Sequence, residues 1–174
     1  MSDFKYPVGP FTAPEHYTPE LRASFISQIE SAPASLQTAV AGLSAGQLGT
    51  PYRDGGWSVA QTVHHMADSH LNAFVRFKFA LTEDNPPVRA YNEKAWAELP
   101  DATNLDIQTS LTLLTGLHAR WAVLLNSLTP ADLARTFQHS QLGPVTLDRL
   151  VAMYAWHSRH HVAHITSLRQ RMGW

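Results

Sequence analysis

Apolar residues recur at alternating steps of three and four along four stretches of the chain, the period of helices that bury one face. The first stretch opens at Thr18, with Pro19 at a first helical position, and runs toward Gly42 through Leu21, Phe25, Ile29, Leu36 and Val40. Pro33 lies inside it and predicts a kink or a break. A Gly- and Pro-rich turn from Gly46 to Trp57 precedes Ser58, a good N-cap for a second helix to about Thr82. Its stripe is Val59, Val63, Met66, His70, Phe74, Phe77 and Leu81. The third helix spans roughly Asn104 to Leu128, with Ile107, Leu111, Leu114, His118, Trp121 and Leu125 on one face. The fourth runs from about Thr146 to Arg171 through Leu147, Leu150, Val151, Tyr154, Ile165 and Leu168, and Gly173 marks its end.

The first eighteen residues carry Pro7, Pro10 and Pro14 among aromatics, which predicts an extended arm lying over the helices. Glu83 to Asn104 contains Pro86, Pro87 and Pro100 and reads as a long connection with a short helix around Glu93 to Glu98. Strand character is confined to Phe137–Val145, where a weak hairpin fits. The fold expected is therefore all-α: a single four-helix-bundle domain over residues 1–174, with residues 1–18 as the arm and a long connection between the second and third helices. Helix order in the bundle stays open.

A chain of 174 residues is long enough for one well-buried core. Its 13 basic and 14 acidic residues nearly cancel, and no Lys/Arg cluster breaks the balance, which argues against nucleic acid and for a small-molecule partner. No apolar run approaches the roughly 20 residues of a membrane helix, and Met1 to Pro10 lacks the order of a signal peptide, so a cytoplasmic protein is expected. Cysteine is absent, so any metal site must be built from imidazole and carboxylate. Against that absence stand ten histidines, four of them between His157 and His164.

In that run His157 pairs with His161, and His160 with His164, at the four-residue spacing that stacks side chains on one helix face. Helical projection from Tyr154 turns His157 and His161 into the core stripe and leaves His160 and His164 toward its edge. Two neutral imidazoles facing an apolar interior strand ring nitrogens at a cost of about 1–3 kcal/mol each, which a divalent ion would relieve. A third ligand should come from a facing helix, with His64, His65, His70 and His118 as candidates among which projection does not choose. His70 and His118 lie within apolar stripes and read first as satisfied core histidines, while His16 and His139 read as surface residues. Asp68, Asn72 and Arg76 form a polar flank of the second helix that reads as solvated, with orientation of ligands or of an anionic substrate as the alternative.

The run from Pro51 to Asn72 (PYRDGGWSVAQTVHHMADSHLN), with R-F-K at Arg76–Lys78, Y-N-E-K-A-W at Tyr91–Trp96, H-A-R-W at His118–Trp121, W-H-S-R-H-H-V-A-H-I at Trp156–Ile165 and the closing R-M-G-W, resembles the YfiT-like branch of the DinB superfamily. The resemblance spans nearly the whole chain. It implies a four-helix bundle, a homodimer, and a zinc or nickel ion on three histidines that match His65, His157 and His161, thereby selecting His65 over His64. Arg159 stands where the family often has histidine, at a position outside that ligand set. The activity implied is metal-dependent hydrolysis, since an ion on three imidazoles lowers the pKa of coordinated water to about 7. Two alternatives stand beside it: thiol S-transfer at the same open position with a low-molecular-weight thiol of the bacillithiol type, or a structural metal or ligand binding without catalysis, in which Asp68 or a fourth histidine would close the site. Imidazole ligation also predicts release of the ion on acidification through about pH 6.

Overall fold

Side-chain caps set where the long helices of the computed structural model, which describes residues 4–174, begin. Thr18 caps α1 (Pro19–Val40) by accepting from the Leu21 amide. Short α2 (Ala45–Leu48) precedes α3 (Val59–Thr82), whose cap Ser58 and residue Gln61 exchange reciprocal bonds in a capping box. After β1 (Pro87–Val88) come the single turns α4 (Glu93–Trp96) and α5 (Pro100–Thr103). Asp106 accepts from Gln108 N at 2.8 Å and starts α6 (Ile107–Ser127), which is why this helix opens after the Asn104 expected from sequence. The turn α7 (Pro130–Leu133) leads to β2 (Thr136–His139) and β3 (Gly143–Thr146), and Thr146 caps α8 (Leu147–Met172). Gly173 ends α8 in the left-handed region at φ 69°.

Of the kink or break expected at Pro33, the break does not occur: α1 runs continuously through it. A proline in a helix removes the bond to the carbonyl four residues back, here Ile29. That orphaned oxygen accepts instead from His118 Nδ1 at 2.7 Å, so the lost bond is replaced from another helix.

The four long helices form a bundle in which α1 packs against α6 and α8, and α3 against the same two. The consecutive helices α1 and α3 thus stand across the diagonal. The expected hairpin is present, with Phe137 opposite Val145, and it gains a third strand because Pro87–Val88 of the long connection pairs parallel to Gln138–His139. Arg135 also bonds to the carbonyls of Ala80 and Glu83. The α3–α6 connection is thereby tied down at its start.

The core divides in two. One cluster holds Phe74, Phe77, Trp121, Leu125, Phe137, Leu150 and Val151; the other holds Leu36, Val63, Met66, Leu111, Leu114, Ile165 and Leu168. On α3 the residues between the clusters include His70, on α8 they run from Trp156 to His164, and on α6 His118 lies at the boundary. A layer of histidines therefore crosses the bundle between two apolar halves. The arm closes this layer from outside: Gly9 O accepts from Trp156 Nε1 at 3.0 Å and Lys5 O lies 3.1 Å from His164 Nε2. The arm's first three residues fall outside the described part.

No helix among the described residues is long and apolar enough to cross a membrane. At the end of the bundle where α8 begins, Arg22 of α1 makes a two-pronged bond to Asp148, through Nε at 2.8 Å and Nη2 at 2.7 Å. Asp148 is buried, so Arg22→Ala strands a carboxylate and is expected to lower stability by about 1–3 kcal/mol. Urea titration checks this, and an Arg22→Met, Asp148→Leu double variant should recover much of the loss.

Candidate metal centre

Neighbouring positions on a helix point about 100° apart, so His64 and His65 of α3 serve different partners. His64 turns to α6 and the segment before it, with Nδ1 2.8 Å from Ser110 Oγ and Nε2 3.2 Å from Leu105 O. His65 turns to α8, and its Nε2 lies 3.3 Å from His157 Nε2. Both are buried, although neither lies on the main apolar stripe, because α3 packs against α6 on one side and α8 on the other.

His65, His157 and His161 each offer a ring nitrogen, all within 4.8 Å of one another. Ring centroids stand 4.8 Å apart for His65 and His161 and 4.4 Å for His157 and His161. With zinc–nitrogen bonds of about 2.0–2.1 Å, two nitrogens on a tetrahedral ion stand roughly 3.3–3.4 Å apart. The His65 and His157 Nε2 atoms meet that spacing at 3.3 Å, and His161 brings a third imidazole nitrogen within 4.8 Å of both, a donor set of the chemistry that holds a divalent ion.

Burial keeps these rings neutral, as ligation requires. It pushes the His65 pKa down to about 4, with the potential charges of His160 and His164 adding to the effect. Burial likewise holds His157 and His161 well below the ordinary imidazole range, reinforced by the neighbouring histidines.

Several residues at the site carry no metal-ligand signature in the sequence. Ser69 Oγ lies 3.4 Å from His157 Nε2 and 3.1 Å from the Tyr154 hydroxyl, which itself donates to Ser69 O at 3.0 Å. Trp57, from the D-G-G-W turn, covers His65 at 4.5 Å between ring centroids. Tyr91, brought in by the long connection and packed on Trp96, has its phenol pushed up mainly by burial, with the Ser69 hydroxyl pulling the other way. Asp68 is half-buried, and burial followed by the charge of Asp101 pushes its carboxyl up to about 6.

Three sequence expectations need correction. His160 and His164 are buried rather than edge residues, because Trp156 stacks on His160 at 4.4 Å and Tyr52 on His164 at 3.9 Å beneath the arm. His139 is not a surface residue: it is buried in β2, where its Nδ1 accepts from the Gln141 and Leu142 amides, each at 3.3 Å. The polar flank of α3 is not uniformly solvated, since Arg76 is buried and bonds to Arg89 O at 3.3 Å, while Asn72 bonds back to Asp68 O. His16 is exposed, as expected. His160, His161 and His164 form a second trio of converging nitrogens, and His160 Nδ1 has no hydrogen-bond partner.

Several known proteins are similar to this chain in sequence and in fold. The chain is 50% identical over 174 residues to a Bacillus mycoides (strain KBAB4) protein named "putative metal-dependent hydrolase", with both chains covered completely. A Bacillus anthracis (strain CDC 684 / NRRL 3495) protein of the same name is 49% identical, again over the whole of both chains. Among solved structures, YfiT from Bacillus subtilis, described as "a probable metal-dependent hydrolase with an unusual four-helix bundle topology", superposes with a TM-score of 0.96 at 47% identity over 99% of each chain. TT2238, a four-helix bundle protein, matches with a TM-score of 0.58 at 18% identity over 81% of this chain and 94% of its own, a likeness of fold alone. The profile of the DinB superfamily matches residues 28–165, and the chain belongs to that superfamily.

Proposed function

We propose that this protein is a metal-dependent hydrolase of a small-molecule substrate, with a zinc or nickel ion held by His65, His157 and His161. The observation that carries the reading is the convergence of three buried or half-buried, uncharged imidazoles from two helices at ligand spacing. Three ligands leave a coordination position open, as catalytic sites do. Held there, a divalent ion would supply a more acidic water and a Lewis acid for a substrate carbonyl. The chain's own part is to keep the three rings unprotonated, to shield them from bulk water with Trp57, and to set the Ser69 and Tyr154 hydroxyls beside His157 as hydrogen-bonding groups for a substrate. The relatives named as metal-dependent hydrolases share the chain from end to end, which supports hydrolysis over the other chemistries of such an ion.

His65→Ala, His157→Ala and His161→Ala are each expected to lower zinc affinity by more than the 10–100-fold that loss of an outer partner costs, and to abolish turnover of ester or amide substrates. His64→Ala, whose ring faces α6, should keep its metal. Elemental analysis and assays on the purified variants check this, and equal metal loss in His64→Ala would overturn the assignment. Turnover of an electrophile only when a small thiol is supplied, with no ester or amide cleavage, would replace hydrolysis by thiol transfer.

Stability of the metal-free protein should depend on pH in a defined direction. An unfolded histidine titrates near 6.5, whereas folded His65, His118, His160 and His164 are pushed down to about 4, so between these values the unfolded chain binds more protons. Stability is complete above about pH 6.5 and falls as pH drops toward 4, with a slope of about 1.4 kcal/mol per pH unit for each ring that must charge. The same depression moves proton competition for the ion from the expected pH 6 toward the value of about 4 at His65. Urea midpoints and zinc retention measured from pH 8 to pH 4 test both statements.

A further inference from the structure

Coordination demands that the nitrogen facing the ion carry a lone pair, and a neutral imidazole has only one such nitrogen. In solution the favoured tautomer of histidine has its proton on Nε2, the atom that His157 turns toward His65. A fold that selects the other tautomer in advance spares the ion that rearrangement. The hydrogen bonds behind the ligands show how this fold can do so.

From the far end inward, the first chain starts at Ile29 O, which can only accept, so His118 Nδ1, 2.7 Å away, carries a proton. A neutral His118 then has its lone pair on Nε2. That atom lies 2.8 Å from His70 Nδ1, which must donate to it. The lone pair of His70 is thus on Nε2, 3.1 Å from His157 Nδ1, which donates in turn. His157 is left with an unprotonated Nε2. His70 and His118 are buried among apolar side chains, where a charged imidazole is disfavoured, and with one proton on each ring the sequence of donors has only one direction.

The second chain obeys the same rule. Lys5 O can only accept, so His164 Nε2, 3.1 Å away, carries the proton and His164 Nδ1 holds the lone pair. His161 Nδ1, 3.4 Å from it, donates along this longer bond, and His161 Nε2 is left free.

We infer that His70, His118 and His164 are positioning residues: two hydrogen-bond chains, ending on the backbone carbonyls of Ile29 and Lys5, fix the tautomers of His157 and His161 so that both present an unprotonated Nε2 to the ion. The inference rests on the reading that His157 and His161 are ligands. Pro33 belongs to the device, because without its N–H the helix leaves Ile29 O free to anchor the first chain. Both chains end on neutral carbonyls rather than on carboxylates, so they orient the ligands without adding a negative charge behind the ion. The second chain also accounts for the other histidine trio: His161 Nδ1 and His164 Nδ1 already share a proton, so a second ion on His160, His161 and His164 would have to break that bond.

The test is made on the full-length chain. Long-range proton–nitrogen NMR of the nitrogen-15-labelled, metal-free protein at pH 8 should show Nδ1–H tautomers for His157, His161, His70 and His118, and the Nε2–H tautomer for His164. A Nε2–H tautomer at His157 or His161 would overturn the inference, and this readout needs neither an ion nor an activity. Zinc affinity, measured by chelator competition, should fall about 10–100-fold in His118→Leu, whose side chain is remote from the ion, and return to within a few-fold of the parent in His118→Gln. Glutamine can accept from His70 and donate to Ile29 O, so rescue separates the hydrogen-bond chain from simple packing. Unchanged affinity in His118→Leu, or two zinc ions bound per parent chain, would also count against it. Failure of the parent chain to bind zinc at all would instead sink the proposed function, while the tautomers remain measurable.

Discussion

An imidazole buried between helices brings two ring nitrogens, one with a proton to give and one with a lone pair to fill, and leaving either unmet costs about 1–3 kcal/mol. This chain buries a whole layer of such rings between two apolar clusters, so the bundle must supply a matching set of partners at that level. It does so by pairing the histidines with one another and ending the pairs on backbone carbonyls. Within the same layer His65, His157 and His161 each bring a ring nitrogen within 4.8 Å of the others. Polar satisfaction of the core and assembly of the candidate site are thus one arrangement.

Several features that look incidental in isolation serve that layer. Pro33 weakens α1 locally, yet the carbonyl it frees is the one His118 uses. The arm has no regular structure, yet its Lys5 and Gly9 carbonyls meet His164 and Trp156 and keep the outer histidines dry. The long α3–α6 connection is pinned by β1 against the hairpin and brings Tyr91 and Trp96 to the Ser69 side of the site. Trp121, fully buried, stands edge-on to His70 at 5.9 Å and to His118 at 5.6 Å, and so walls the inner chain from the apolar cluster below. Excluding bulk water from this layer strengthens each remaining electrostatic interaction within it.

What the linear chain determined by itself follows from local rules. Period and caps are properties of neighbours in sequence, so the four long helices, the turn before Ser58 and the end at Gly173 could be read directly. The four-residue spacing of His157 and His161 likewise announces a shared helix face, and the hairpin after Phe137 shows in its composition. The third candidate ligand became legible only through likeness to the DinB superfamily, since projection of α3 left His64 and His65 both off its stripe.

Tertiary structure decided whatever depends on what lies opposite. His64 and His65 differ only because one meets Ser110 on α6 and the other His157 on α8, and no spacing along α3 contains that fact. His139, His160 and His164 looked peripheral because burial by an arm, a sheet or a stacked Tyr52 comes from residues far away in the chain. Pro33 was a breaker by local rule and became tolerable through a donor from another helix. Sequence carries the periodicities, which are set by bonds within a segment; the identity of a buried ring's hydrogen-bond partner is set by packing between segments, and on that partner the tautomers behind the site depend.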